Sequence, residues 1–87
     1  MIDDAQIKGC LIELRYVGED DLLNPHDSLF ELGIIDSLGI MSLVELLSNR
    51  YGIVVPDEDL LPDYFDSISS IAHYVNSKLG SANRKRS

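Results

Sequence analysis

The sequence predicts an all-α fold: a small antiparallel four-helix bundle with three main helices, one short one, and a long loop between the first and second helices. Apolar residues recur at helical spacing in three separate segments. A glycine follows each of those segments, as is common where helices end. With 87 residues, of which 45% are hydrophobic, the chain has room for one domain around a single core.

The first helix is predicted from about residue 3 to 17, because one stripe holds Ile7, Cys10, Leu11 and Leu14. Gly18 follows and is expected to end it. Residues 18–36 then form the long loop, and a connection of that length in a small domain usually contains a short element or a functional site. Ser28 and Glu31 have the spacing of a capping box, which predicts one short turn of helix there.

The second main helix shows the clearest pattern. It is predicted from Ser37 to about Tyr51, with a stripe formed by Ile40, Leu43, Val44, Leu47 and Tyr51. Gly52 is expected to end it. Pro56 disfavours helical backbone at the residue before it, so residues 53–56 are predicted to form an extended connector.

Two further helical segments complete the predicted bundle. A short helical turn, interrupted by Pro62, is predicted over residues 57–65. The last helix is predicted to begin near Asp66 or Ser67 and to end at Gly80. Its core-facing stripe is formed by Ile68, Ile71, Ala72, Val75 and Leu79.

The charge of the chain is acidic and unevenly placed. The net charge is −8, and residues 18–66 hold twelve acidic side chains against one base, Arg50. Such a field repels nucleic acid and anionic membranes and attracts basic protein surfaces, so no nucleic-acid partner is expected. Basic residues collect at the C-terminus, where we expect a disordered tail over residues 81–87 after a domain spanning residues 1–80.

Several kinds of protein and site are excluded by the composition. No apolar run is long enough to span a bilayer and the N-terminus lacks the basic start of a signal peptide, so we expect a cytoplasmic protein. We also expect a monomer. Cys10 is the only cysteine, which excludes an internal disulfide. The acids of residues 57–63 lack the glycine and the final glutamate of an EF-hand. His26 and His73 have no partner at ligand spacing, and no metal site or catalytic residue is predicted.

Ser37 is the candidate functional residue because it opens the second main helix. Amides at a helix N-terminus lack acceptors and the helix dipole is positive there, so a phosphodiester on the Ser37 hydroxyl is favourably placed. Leu38 and Met41 fall opposite the core stripe, beside Glu45. Two apolar side chains one turn apart on a polar face predict a docking patch for a partner protein, and the flexible thioether of methionine suits that use.

The tripeptide Asp-Ser-Leu does not identify the site by itself. It occurs as Asp27-Ser28-Leu29 and again as Asp36-Ser37-Leu38. Asp36 and Ser37 each also fit the ordinary pattern of a helix N-cap. Ser37 is distinguished by its context, because Gly-Ile-Ile precedes its aspartate and a long amphipathic helix follows it.

The stretch from Asp27 to Leu38, the amphipathic helix after it, and the segment Tyr51-Gly52-Ile53-Val54-Val55-Pro56 resemble the acyl carrier protein family. The resemblance covers about residues 5–79. It implies a carrier without catalytic activity, with a 4'-phosphopantetheine arm on Ser37. It also implies that Asp36 helps the modifying transferase hold its metal and coenzyme A. The implied partners are a phosphopantetheinyl transferase, an adenylating acyl or aminoacyl ligase, and a downstream transferase or synthase.

Two departures from the fatty-acid members of that family bear on the cargo. Those members usually have an acid directly after Asp-Ser-Leu and one residue between the glycine and the aspartate. Here the acid is replaced by Gly39, and the glycine and aspartate are separated by Ile34 and Ile35. Both traits are similar to D-alanyl and stand-alone aminoacyl carriers, which favours an aminoacyl or specialised-pathway carrier. A fatty-acid-type acyl carrier and an unmodified acidic helical adaptor are the alternatives.

Overall fold

The computed structural model describes the backbone of residues 2–20 and 22–85, and the side chains of these residues as far as Gly80. In chain order, its helical elements are α1 (Asp4–Glu13), α2 (Ser37–Tyr51), a 3-10 turn (Asp57–Asp59), α3 (Pro62–Phe65) and α4 (Ile68–Lys85). No strand occurs in the part of the chain that is described. The predicted all-α bundle of three main helices and one short one is confirmed.

The core forms where the apolar stripes of the helices meet. α1 packs against both α2 and α4, and α3 packs against α4. The most deeply buried side chains come from all four helices and from the long loop: Ile7, Cys10, Leu11, Leu29, Leu43, Leu47, Phe65, Ile68, Ile71 and Val75. Full burial of one large apolar side chain contributes about 1.5–3 kcal/mol. The stripes predicted from the sequence therefore supply most of the stabilising burial.

α1 ends earlier than its apolar pattern predicts, because the chain turns at Arg15. The φ angle of Arg15 is 67°, in the left-handed region. The Arg15 amide donates to the carbonyl of Ile12 and the Tyr16 amide donates to the carbonyl of Leu11, each at 2.9 Å. These two bonds form a Schellman motif, which ends a helix. The prediction that Gly18 ends α1 is therefore wrong, since a non-glycine residue takes that role upstream.

Replacing Arg15 with glycine is expected to stabilise the protein by about 0.5–1 kcal/mol. A side chain in the left-handed region costs roughly 1–2 kcal/mol, and glycine avoids that cost but loses part of the gain through its more flexible unfolded state. Denaturant unfolding of the wild type, Arg15→Gly and Arg15→Ala measures the effect. Arg15→Ala removes the charge but keeps the strained backbone, so an equal gain in both variants would contradict this explanation.

The long loop is built around one tight turn. The Leu32 amide donates to the Ser28 carbonyl, and the Ile34 amide donates to the Leu29 carbonyl. Gly33 closes the turn with a φ of 71°, a conformation that glycine adopts at no steric cost. The turn of helix predicted after Ser28 is therefore a single hydrogen-bonded turn, and it places Leu29 in the core.

α2 begins and ends as predicted, whereas the end of α4 differs. Ser37 is the first residue of α2, and Gly52 closes it with a left-handed φ of 68°. α4 continues through Gly80 to Lys85, so the predicted end at Gly80 is wrong. An isolated glycine costs a helix only about 1 kcal/mol, and it ends the helix only where the backbone becomes left-handed.

Pro62 begins a helix instead of interrupting one. The turn predicted over residues 57–65 is divided into the 3-10 turn and α3, and Pro62 is the first residue of α3. That position suits proline, because the first amide of a helix has no acceptor within the helix.

Two predictions about the chain as a whole stay predictions. The first is the division between a domain over residues 1–80 and a disordered tail over 81–87. The backbone of α4 extends into that segment, and the side chains beyond Gly80 lie outside the described residues. The second is the cytoplasmic location. Among the helices described, none combines the length and the apolar character needed to cross a membrane.

Candidate functional site at the start of α2

α2 begins at an exposed serine that does not serve as the helix cap. Asp36 is the N-cap, and its Oδ1 accepts a hydrogen bond from the Gly39 amide at 2.8 Å. Ser37 is the first helical residue and is exposed. Its hydroxyl has no hydrogen-bond partner within the described part of the chain. The capping role therefore belongs to Asp36, and the Ser37 hydroxyl is available for chemistry.

The backbone at the start of α2 lies close to the buried side chain of Ile35. A Cβ atom at position 39 would lie 2.8 Å from Ile35 Cγ1, 3.3 Å from Asp36 Oδ1 and 3.4 Å from the Tyr16 hydroxyl. The first distance is shorter than carbon atoms tolerate, and Ile35 is only 4% exposed. A side chain at position 39 would therefore force Ile35 or the backbone of α2 to shift.

A small cavity, here called the serine cavity, opens beside Ser37. Its volume is about 230 Å³, and it is lined by Phe30, Ser37, Ile40, Met41, Leu60 and Pro62. All of these side chains except that of Ser37 are apolar. Phe30 belongs to the long loop, whereas Leu60 and Pro62 belong to the segment around α3. Three separate parts of the chain therefore enclose the space next to the serine.

The exposed face of α2 displays the residues predicted to dock partners. Leu38 is 75% exposed, Met41 is 59% exposed, and Glu45 is also exposed. A second cavity of about 430 Å³ is lined by Leu14, Met41, Ser42, Glu45, Leu46 and Asn49. Met41 therefore lies between the two cavities, whereas Leu38 lines neither of them.

Ionic contacts hold the elements on either side of the site. Arg50 Nη2 lies 2.6 Å from Glu13 Oε1, and this hydrogen bond raises the pKa of the Arg50 guanidinium. The Tyr74 hydroxyl donates to Asp59 Oδ2 at 2.6 Å, and Lys78 Nζ lies 3.3 Å from the same oxygen. The hydrogen bond from Tyr74 holds the pKa of Asp59 below its usual value. The first contact ties α2 to α1, and the second ties the 3-10 turn to α4.

The other candidate groups do not form a second site. Across the described residues, no group of three or more His, Cys, Asp or Glu side chains is placed to hold a metal ion. His26 and His73 are both exposed. Cys10 is fully buried on α1, where Arg50 Nη1 lies 3.7 Å from its sulfur. Its position agrees with the predicted core role.

The sequence identifies only the local half of the serine cavity. Ser37 and Met41 lie four residues apart on one helix, so their proximity follows from helical spacing. Phe30, Leu60 and Pro62 are distant from Ser37 in the sequence and reach it only through tertiary packing. One feature of the sequence indicates part of the cavity lining. The long loop holds more apolar residues than a solvent-exposed connection needs, which indicates that some of them pack against the rest of the domain.

The fold and the site together define a small helical protein with an exposed serine hydroxyl at the start of a helix. A family model described as "Phosphopantetheine attachment site" matches residues 5–75. The chain is 31% identical to the D-alanyl carrier protein of Bacillus subtilis (strain 168), over 72% of this chain and 83% of that protein. It is 32% identical to the D-alanyl carrier protein of Bacillus pumilus (strain SAFR-032), over 80% of this chain and 88% of that protein.

A third relative extends the match further. The chain is 32% identical to D-alanyl carrier protein 1 of Lactiplantibacillus plantarum (strain ATCC BAA-793 / NCIMB 8826 / WCFS1), over 85% of this chain and 92% of that protein. The chain therefore belongs to the phosphopantetheine attachment family of carrier proteins. Its prosthetic group is 4'-phosphopantetheine, and it is a carrier rather than an enzyme. The resemblance stated from the sequence is confirmed.

Proposed function

We propose that the chain is an aminoacyl carrier that holds its cargo as a thioester on a 4'-phosphopantetheine arm attached to Ser37. The free hydroxyl of Ser37 at the first position of α2 is the observation on which the attachment site rests. The first amides of α2 have no acceptor within the helix, and the positive end of the helix dipole favours a phosphodiester there. The serine cavity offers an apolar surface beside the attachment point.

Asp36 has a second role in this proposal, besides capping α2. Its Oδ1 is occupied by the Gly39 amide, while its Oδ2 accepts no hydrogen bond within the described residues. Carboxylate oxygens are common ligands of Mg²⁺, which binds phosphates at the same time. Asp36 Oδ2 is therefore free to contact the metal that a transferase brings with coenzyme A.

Three kinds of partner enzyme follow from this chemistry. A phosphopantetheinyl transferase joins Ser37 Oγ to the phosphopantetheine of coenzyme A, so the hydroxyl loses its proton and adenosine 3',5'-bisphosphate leaves. The arm supplies a thiol that holds the cargo as an activated thioester, and tethering raises the effective concentration of the cargo at a docked enzyme. An adenylating ligase loads this thiol, and a downstream transferase or synthase unloads it. The chain itself contributes the serine and the docking surface.

The size of the serine cavity favours a small cargo. Pockets that enclose drug-sized ligands have volumes of ~300–1,000 Å³, and the serine cavity has about 230 Å³. Leu43, Leu47 and Phe65 are fully buried in the core, so a long acyl chain entering the bundle has to displace packed side chains. The three relatives reported above are named as D-alanyl carriers, which agrees with an aminoacyl cargo.

A fatty-acid-type carrier is the second candidate, and the apolar lining of the serine cavity favours it. The exposed face of α2 favours the aminoacyl carrier, because Glu45 is the one acid there among Leu38, Met41, Ser42 and Asn49. Partner recognition by such a face depends on apolar contact and is weakly sensitive to salt.

The test begins with the intact protein. Incubation with coenzyme A, Mg²⁺ and a promiscuous phosphopantetheinyl transferase is expected to add one phosphopantetheine group, measured by intact-protein mass spectrometry. A protein that remains unmodified, under conditions that modify a control carrier, contradicts the attachment. The modified protein is then offered to an adenylating ligase with amino acids or with fatty acids, and an amino acid adduct is expected.

Met41→Glu is expected to weaken partner binding without unfolding the protein. Met41 is exposed, so a carboxylate there is solvated, but it places a charge at the centre of the proposed docking surface. The half-saturating carrier concentration of the partner ligase is expected to rise about five- to tenfold. Met41→Leu keeps the apolar contact and is expected to behave like the wild type. Equal turnover of Met41→Glu and wild type at limiting carrier concentration would remove Met41 from the docking surface.

A further inference from the structure

Asp66 joins the long loop to the junction between α3 and α4. Its Oδ1 accepts hydrogen bonds from the Ser28 hydroxyl at 2.7 Å and from the Phe30 amide at 3.3 Å. Its backbone carbonyl accepts a third from the Leu29 amide at 2.6 Å. Asp66 is half-buried, and bonds to an ionised carboxylate are stronger than neutral ones. One residue therefore holds three consecutive residues of the loop.

The loop residues that Asp66 holds lead directly to the start of α2. The Leu29 carbonyl accepts hydrogen bonds from the Ile34 amide at 2.9 Å and from the Ile35 amide at 3.3 Å. Ile35 in turn lies against the backbone of Gly39, where an added Cβ would lie only 2.8 Å from Ile35 Cγ1. A continuous set of contacts therefore runs from Asp66 through the loop to the first turn of α2.

The same loop forms one wall of the serine cavity. Phe30, whose amide donates to Asp66, lines this cavity together with Ser37. The segment around α3 forms another wall, through Leu60 and Pro62. Because Asp66 follows α3 directly, its carboxylate links two walls of the cavity to each other.

We propose that Asp66 is a positioning residue for Ser37. Its carboxylate holds the long loop so that the Ser37 hydroxyl and the serine cavity keep the geometry needed for attachment of the arm. This inference rests on the proposed function of Ser37. A role in stability alone would lower the resistance of the whole domain to unfolding. A positioning role changes the first turn of α2 in the folded protein, and the two can be separated by measurement.

The test compares Asp66→Ala, Asp66→Asn and Asp3→Ala in the full chain. Asparagine keeps an oxygen that can accept from Ser28 and Phe30, so Asp66→Asn is the conservative variant. Asp3 is also a carboxylate that accepts from an amide, but it caps α1 instead of holding the loop. Asp3→Ala therefore removes the same charge and a comparable bond elsewhere. All measurements are made at a temperature where circular dichroism shows each variant fully folded.

The first readout is the rate of modification by the transferase with coenzyme A. Asp66→Ala is expected to lower kcat about tenfold or more, because misplacement of a reacting group by about 1 Å can cost a hundredfold. KM is expected to change less than about twofold, since the exposed face of α2 is intact. Asp66→Asn is expected to recover most of the rate. Equal kcat values for Asp66→Ala and Asp3→Ala overturn the inference.

The second readout does not depend on modification. Amide hydrogen exchange, followed by NMR, is expected to speed up at Phe30 and Gly39 in Asp66→Ala but not in Asp3→Ala. Unchanged exchange at Gly39 overturns the inference even if the wild type is never modified, an outcome that separately contradicts the proposed function. If Asp66→Ala does not fold, Ser28→Ala removes one of the two bonds to the carboxylate and is expected to give the same changes with smaller amplitude.

Discussion

Ser37→Ala is expected to abolish attachment of the arm while leaving the helical fold intact. The alanine variant lacks the oxygen that forms the phosphodiester, and among the described residues that line the serine cavity no other one carries a hydroxyl. The fold is expected to persist because Ser37 is exposed and because Asp36, not Ser37, caps α2. Alanine also has the highest helix propensity of all residues, so the substitution does not destabilise α2 through helix propensity. Intact-protein mass spectrometry after incubation with transferase and coenzyme A, together with circular dichroism, measures both parts.

The matched control is Ser28→Ala, because the same tripeptide surrounds Ser28. Asp27-Ser28-Leu29 repeats the letters of Asp36-Ser37-Leu38, but the Ser28 hydroxyl is bonded to a carboxylate and does not open a helix. Ser28→Ala is expected to reach one full adduct at the end of the reaction, even where the rate is lower. A phosphopantetheine adduct on Ser37→Ala, or no adduct on Ser28→Ala after exhaustive reaction, would place the arm on another serine.

α2 is the element that local sequence predicts completely. Its apolar stripe, its aspartate cap and its terminal Gly52 all lie within the helix or next to it, and each agrees with the others. The end of α1 could not be predicted in this way, because Arg15 takes a conformation that its residue type disfavours. The prediction at Gly80 is wrong for the opposite reason. Glycine permits a helix to end there, but the backbone of α4 stays helical through Gly80. The backbone conformation determines where a helix ends, and the residue type only partly indicates that conformation.

The residues of the candidate site also fall into two groups, those that local sequence predicts and those that only tertiary packing brings together. Asp36, Ser37 and Met41 are close in sequence, and helical spacing brings them together. Phe30 and Asp66 take part only because the loop folds back onto the junction of α3 and α4. Nothing in their local spacing indicates such a contact. The charge pattern did not identify Asp66 either, since it is one of twelve acids in the central part of the chain.

Gly39→Ala is the second change for which we expect a large effect. We expect it to destabilise the protein, whereas replacing a glycine within a helix by alanine usually stabilises it. Alanine normally stabilises a helix by about 1 kcal/mol relative to glycine. Here the added Cβ would lie 2.8 Å from Ile35 Cγ1, a side-chain atom two bonds from the backbone of a buried residue, so the clash is relieved only if packed atoms shift. Overpacking of this kind costs roughly 1–3 kcal/mol. We therefore expect a net loss of about 1 kcal/mol or more in the free energy of unfolding, measured by urea denaturation.

Gly9→Ala is the matched control, because it makes the same glycine-to-alanine change at a helical position where we expect no clash. Gly9 also lies within a helix, but a Cβ there meets nothing within 4 Å, so this variant is expected to gain about 0.5–1 kcal/mol. Because the Gly39 amide is the donor to Asp36, the clash at position 39 also disturbs the cap beside Ser37. We expect transferase turnover to fall in Gly39→Ala and to stay unchanged in Gly9→Ala. If both variants are stabilised, Ile35 does not constrain position 39, and the absence of an acid after Ser37-Leu38 has to be explained by the cargo or the partners instead of by packing.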